Sequence, residues 1–459
     1  MKTRITLLVL LFIGFNIGFA QQDEECITKL SIFHEYVKAK NYDAAYEPWM
    51  AVRNKCPKFN IAIYADGEKI LNHKIDNASG AEKTAFINDL VKLWEQRGEH
   101  FTSKTPKGEY LAKACQLKYD NRDILSLSKD ELYTCFDEAY HMDKDSFTNP
   151  KSLYTYFSLM VDLFDEGKKP AQDLFNKYDD IVEKVEEEVK NYSEKLNKLV
   201  AKEDAGTALT KKENSYKRYY SSYLKAYDQI SGSIDQKLGN RANCENLIPL
   251  YQKDFEANKD NAIWLQRAAG KMSEKECTDD PLFFKLVNAL HELNPSASSA
   301  YYLGLLKEKE KKANEALKFY DQAISLETDG FKKSKLYYKV ATKLKARKSY
   351  GKARNYYRQA LKLNPSNGRP HIAIASMYAA SANSCGESNF DKRAVYWLAS
   401  QEANKAARVD PTMKKAASQS SANYKAKAPS KAEVFSSGRA GETIKIGCWI
   451  NSSVTVPSI

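Results

Sequence analysis

Eight cysteines and six histidines are the residues of this 459-residue sequence that could bind metal, form cross-links or carry protons. Their spacing favours cross-links. No C-x-x-C pair occurs, and His34, His73, His100, His141, His291 and His371 are not grouped near any cysteine pair as zinc ligands would be. H-E-x-x-H, G-x-S-x-G, G-x-G-x-x-G and the phosphate-cradling G-x-x-x-x-G-K are all absent. Acidic runs such as "EKVEEEVK" (183–190) fall on what reads as the outward face of a helix, where solvation is the default. Asn77-Ala78-Ser79 matches a glycosylation acceptor, which matters only in a eukaryotic secretory pathway. The chain reads as non-enzymatic, with no metal and no cofactor.

An even cysteine count is the mark of disulfides in an exported protein, and the first twenty residues read as an export leader. Met1–Ala20 carries two positive charges, an apolar run, and Gly18 and Ala20 where a signal peptidase reads small residues. No later segment approaches the roughly 20 apolar residues of a membrane-spanning helix. The expected location is the periplasm, with no span once the leader is removed. Net charge is +12, unevenly spread: from residue 301 onward there are 29 Lys and Arg against 12 Asp and Glu. An exported protein seldom meets nucleic acid, so anionic lipid, acidic polysaccharide or an acidic protein surface are the counterparts this basic end suits.

The strongest signal is a repeat of 34 residues. Over 297–330, Leu303 and Gly304 sit where two helices approach closely, and Ala316, Tyr320 and Ala323 form a small-large-small stripe. Over 334–367 the same pattern returns with Val340, Ala341, Ala353, Tyr357, Ala360 and a terminating Pro365. A third copy starts at Gly368 with Ile374, Ala375 and Tyr378, holds an inserted loop "SANSCGESNF", and closes at Pro411. Near the N-terminus Ile32, Phe33 and Tyr36, then Ala45, Trp49 and Pro57, fit a further copy. At these residues the chain resembles the tetratricopeptide repeat family, of the exported bacterial envelope type. The resemblance implies an all-α array of helix-turn-helix units: degenerate repeats over 21–165 and clear ones over 241–411.

The resemblance also implies a concave groove lined by first helices that holds an extended peptide or a partner's helix. Carried over residue by residue, its groove positions are Tyr301, Leu305, Glu308, Lys309 and Lys312, then Lys335, Tyr338, Thr342 and Lys345, then Arg369, Ile372 and Ser376. Tyrosines beside lysines suit an acidic segment. The asparagines of the family's carboxylate-clamp subset are missing here, which puts recognition of a free C-terminal carboxylate in doubt. His371 stands where the repeat has a large packing residue.

Residues 166–240 depart from the repeat. Phe175, Tyr178, Val182, Val185, Val189, Tyr192, Leu196 and Leu199 step by three and four, and Tyr216, Tyr220, Tyr223, Tyr227, Ile230 and Ile234 resume the stepping after a polar stretch. This predicts an antiparallel helical hairpin with arms of roughly 40 Å. It would either project as an arm or lie packed along the array. The repeat reading pairs the cysteines as Cys26 with Cys56, Cys115 with Cys135, Cys244 with Cys277, and Cys385 with Cys448. The last bond would tie a capping segment, 412–459, over the end of the array. Within that segment Ile444, Ile446, Cys448 and Ile450 alternate as in a strand, and Val454–Val456 can return as the second strand of a β-hairpin around Trp449. The function expected is a periplasmic scaffold for protein partners, outer-membrane proteins among them, in an assembly or secretion complex. A periplasmic chaperone for export clients and a binder of anionic envelope glycan are the alternatives.

Overall fold

The structure is a computed structural model and describes residues 24–458. The expected leader lies outside the described residues. The chain divides into two compact units after Lys177. That division falls inside one long helix, Ala171–Asp204, and not at an end of the expected hairpin. The reason is where neighbouring side chains are anchored. Lys177 donates to Asp137 at 3.0 Å and lies 4.3 Å from the Tyr156 ring, whereas Tyr178 donates to Asp235 and Glu274 at 2.6 and 3.1 Å.

The first unit is a succession of helical hairpins. A helix over 24–38 is followed by Tyr42–Lys55, Ala62–Asn77, Gly80–His100, Lys107–Asp120, Lys129–Met142 and Pro150–Asp165. Local sequence starts several of them. Ser128 and Glu131 form a reciprocal capping box, and Asn149 caps a helix whose first residue, Pro150, has no N–H to leave unpaired. Trp49 is fully buried, donates its indole N–H to the Ile63 carbonyl at 2.7 Å, and lies so close to Gly67 that a Cβ there would meet the ring at 2.6 Å. In the 24–38 helix Phe33 and Val37 are buried, while Ile32 and Tyr36 are exposed. Of the three residues the repeat register named in this helix, Phe33 is buried and Ile32 and Tyr36 are not.

In the second unit, Lys211–Leu238 follows the long helix, and Cys244–Asn258, Ala262–Glu274 and Pro281–Leu293 lead into the clear repeats. These pair Ala297–Lys309 with Ala313–Leu326, Gly330–Ala346 with Tyr350–Leu363, and Arg369–Ala380 with Asn389–Val409. Each pairing rests on the small-large stripe read from sequence. Ala316, Ala323, Ala341, Ala353 and Ala360 are all but fully enclosed, and a Cβ on Gly304 would meet the Tyr320 ring at 2.4 Å. Fully burying one large apolar side chain contributes roughly 1.5–3 kcal/mol.

Four disulfides join Cys26 to Cys56, Cys115 to Cys135, Cys244 to Cys277 and Cys385 to Cys448. Strands β1, Thr443–Ile446, and β2, Ser452–Thr455, pair antiparallel with Thr443 opposite Thr455 and Ile446 opposite Ser452. The expected strand through Cys448 and Ile450 stops at Ile446 instead. Cys448 and Asn451 take left-handed backbone, φ 50° and 37°, so residues 447–451 form the bend, and Ile450 is buried beneath it. Both strands of the hairpin pack on Asn389–Val409 of the final repeat. Trp449 lies against Tyr350 and Tyr378, donates to Ser381 Oγ at 2.9 Å and has the Arg354 guanidinium 5.3 Å from its ring, so the bend also reaches the preceding repeat. The final repeat is covered by helix Lys414–Lys427, which packs on Asn389–Val409 through Ala417 and a buried Ser400–Ser421 hydrogen bond of 2.8 Å. Its remaining face is polar, which is what a terminal repeat needs.

Candidate partner-binding surface

First helices of the second unit, joined at the far end by Arg408 of the second helix Asn389–Val409, already hold a helix. Along 178–204, contacts to successive repeats follow chain order. Asp179 faces Lys271 at 3.3 Å; Asp180 and Glu183 face Arg267 at 2.9 and 3.1 Å; Glu186 meets Lys335 at 2.8 Å. Lys190 then pairs with Asp329, Asn197 accepts from the Ser366 N–H at 2.8 Å, and Asp204 meets Arg408 at 2.8 Å. The long helix is thus packed along the repeats and does not project. Phe175, Tyr178, Val185, Tyr192 and Leu196 of the predicted seam are buried; Val182, Val189 and Leu199 are only half-buried, and Ile181 and Val200, one position from two of them, are buried instead.

The acidic run in this helix is not a fully solvated face. Lys184 and Glu188 are 1% and 5% exposed, and they pair at 2.9 Å. A helix enclosed on two sides can bury such a pair because the i,i+4 spacing lets the charges neutralise each other. Burial likewise pushes the Asp179 carboxyl up to about 6, against the pull of Lys271 and Arg267.

The groove residues carried over from the repeat pattern fall into three groups. Glu308, Lys309, Lys312, Lys335 and Arg369 are held in ion pairs, with Arg347 and Lys343, Asp279, Glu310, Glu186 and Asp228 respectively. Tyr301, Leu305, Tyr338, Thr342, Ile372 and Ser376 help to build the repeats. Tyr301 is buried, which raises its hydroxyl to about 12; Leu305, Tyr338 and Ile372 pack on the core; the Thr342 and Tyr357 hydroxyls lie 3.1 Å apart; and Ser376 donates to the Ala373 carbonyl. Lys345 alone of the set has no ion pair among the described residues, and burial depresses its ammonium.

The pattern missed a second lysine of the helix Gly330–Ala346. Lys339 lies 5.3 Å from the Tyr301 ring, is exposed and has no ion pair among the described residues. The surrounding protein, and then Lys335, depress its ammonium. Four residues from Lys335 on one helix face, it was findable from helical spacing alone. His371 bonds to Glu402 at 2.7 Å, a part-buried structural contact. Among the described residues no three His, Cys, Asp or Glu side chains gather as metal ligands, and no helix is long and apolar enough to cross a membrane.

No established family profile matches the chain. Over 107 residues it is 35% identical to the photosystem I assembly protein Ycf3 of Cyanophora paradoxa, a match covering 21% of this chain and 62% of that protein. The chain therefore spans less than two thirds of that relative's length. Among solved structures, a tetratricopeptide repeat protein from Parabacteroides merdae is 12% identical, covering 69% of this chain and 97% of that one at a TM-score of 0.24. Yeast Tom70 is 13% identical, covering 89% and 78% at 0.26. Those scores carry no argument about function. The 34-residue spacing, the Gly304–Tyr320 approach and the alanine stripes make the repeats of the second unit tetratricopeptide-type helical hairpins.

Proposed function

We propose that this is an exported, non-catalytic scaffold that holds protein partners of a cell-envelope complex against the first-helix face of its repeats. One observation carries the proposal: that face binds a helix of its own chain through an ordered series of ion pairs. Beyond that helix it presents two cations, Lys339 and Lys345, that form no ion pair among the described residues. A partner segment bearing carboxylates would pair with both. Four disulfides accord with an oxidising compartment, and the leader-like first twenty residues with export.

The test is a mild-crosslink capture of partners from solubilised envelope at low and high salt. A few envelope proteins in fixed ratio are expected. A diffuse spectrum of unfolded exported chains would replace this reading with a chaperone, and recovery of nothing but salt-released anionic glycan would replace it with a glycan binder. Replacing both cations, K339E with K345E, should lower partner recovery at least tenfold. Because neither side chain holds an ion pair among the described residues, the unfolding free energy from urea titration should stay within about 0.5 kcal/mol of wild type.

A further inference from the structure

The four disulfides are not placed alike. Cys26, Cys115 and Cys277 are buried, their partners Cys56, Cys135 and Cys244 are half-buried, and each of these bonds closes 20 to 33 residues between neighbouring helices. Cys385–Cys448 differs on both counts. It closes 63 residues, and Cys448 alone of the eight cysteines is exposed, whereas Cys385 is 6% exposed. A nucleophile from solvent therefore reaches this bond before the others, and reaches it from the Cys448 side.

What the bond holds is the tip of the terminal hairpin. Cys448 lies in the bend 447–451 with left-handed backbone, φ 50°, which a residue bearing a Cβ adopts only at a cost. Cys385 ends the short helix Ala382–Cys385 in the insertion of the last clear repeat. Around the bond the hairpin is held by non-covalent contacts: Ile444, Ile446, Ile450, Val454 and Val456 are buried, Trp449 lies against Tyr350 and Tyr378, and Arg354 donates to the Ile450 carbonyl. Cutting the cross-link keeps those contacts but lets the chain between 385 and 448 visit open states. The entropy that a disulfide withholds grows with the loop it closes, so the effect of cutting is largest at this one of the four.

We propose that Cys385–Cys448 is a thiol-exchange site, and that its reduction loosens the terminal hairpin from the last two repeats while the other three disulfides stay closed. The reactant it takes is a dithiol reductant, a small molecule or a protein of the thioredoxin-like class. One thiolate of the reductant attacks Cys448 Sγ; the bond to Cys385 breaks, its electron pair goes to Cys385 Sγ, which takes up a proton, and a mixed disulfide to Cys448 remains. The second thiolate of the reductant then attacks the reductant's own sulfur in that mixed disulfide, and Cys448 leaves and is protonated. The reductant ends as a disulfide, having passed two electrons and two protons to the protein. Loosening uncovers the Tyr350 and Tyr378 rings beneath Trp449 and the side of Asn389–Val409 on which both strands pack.

The experiment exposes the oxidised full chain, without denaturant, to graded dithiothreitol, then caps free thiols with iodoacetamide and maps them by mass spectrometry. Cys385 and Cys448 are expected to be capped together, at least tenfold faster than any other cysteine. At the dithiothreitol concentration that opens only this bond, hydrogen exchange across 443–455 should run at least tenfold faster than in the oxidised chain, with Gly330–Ala346 unchanged. C385A/C448A should show the same fast exchange with no reductant and no further response to it; if that variant does not fold, the comparison within the wild-type chain decides. A thioredoxin carrying only its attacking cysteine, unable to complete the second step, should be trapped on Cys448. Another bond opening first or equally fast, exchange across 443–455 that ignores reduction, or trapping on a different cysteine would overturn the proposal. K339E/K345E should behave as wild type in every arm, so failure here is separable from failure of the partner-surface reading.

Discussion

Gly304 leaves no room for a methyl group: an added Cβ would lie 2.4 Å from the Tyr320 ring, a side chain itself 2% exposed and held among buried alanines. Gly304→Ala should therefore cost about 1–3 kcal/mol, read as a lower urea midpoint with an unchanged slope. That position was legible in the sequence because the repeat places the small residue opposite the tyrosine sixteen residues later. Asp179 was not. Its partners Arg267 and Lys271 come some ninety residues on, and its environment exists only once the long helix packs against theirs. Since burial raises this carboxyl to about 6, the folded state prefers it protonated. Its contribution to stability is therefore unfavourable above about pH 6 and is relieved as pH falls toward 4, by at most about 3 kcal/mol. An NMR titration of the Asp179 carboxyl should show a midpoint near 6, and Asp179→Asn should shrink the stability difference between pH 7 and pH 5.

At the scale of elements, the terminal β-hairpin shows what periodicity can and cannot deliver. Alternating isoleucines predicted a strand, and Ile444 and Ile446 do face inward. Alternation could not show that the chain bends at Gly447, because the bend is set by where Cys448 must go to reach Cys385. Nor could it show that Trp449 would sit among Tyr350, Tyr378 and Ser381 and so reach the preceding repeat. Hydrogen exchange tests that placement. Trp449→Ala should speed exchange across 443–455 while leaving Gly330–Ala346 near wild type, and should cost about 2–3 kcal/mol because the indole is only part-buried. The same limit explains the 24–38 helix. A repeat pattern fixes which residues are apolar, but tertiary packing kept only Phe33 of the three named, added Val37, and left Ile32 and Tyr36 outside.

At the scale of the molecule, the sequence displayed its charge asymmetry openly but not its use. The basic repeats of the second unit meet an acidic helix from the same chain, so part of the apparent excess is neutralised internally at Lys335 and Arg408. Lys339 and Lys345 form no ion pair among the described residues, and the proposed partner surface uses them. Partner binding there should weaken steeply between about 50 and 500 mM salt, whereas melting of the protein alone should move by only a few degrees. Exposed charge pairs are screened over about a Debye length, while the buried seam of the long helix is not.

The four disulfides have a consequence in time as well as in space. Three of them close within 20 to 33 residues, so each can form as soon as its own pair of helices has emerged from the ribosome or the export channel. Cys385 must wait for 63 further residues before Cys448 arrives, roughly 3–13 s at ordinary synthesis rates. During that interval Cys385 is an unpaired thiol beside an unstrapped repeat.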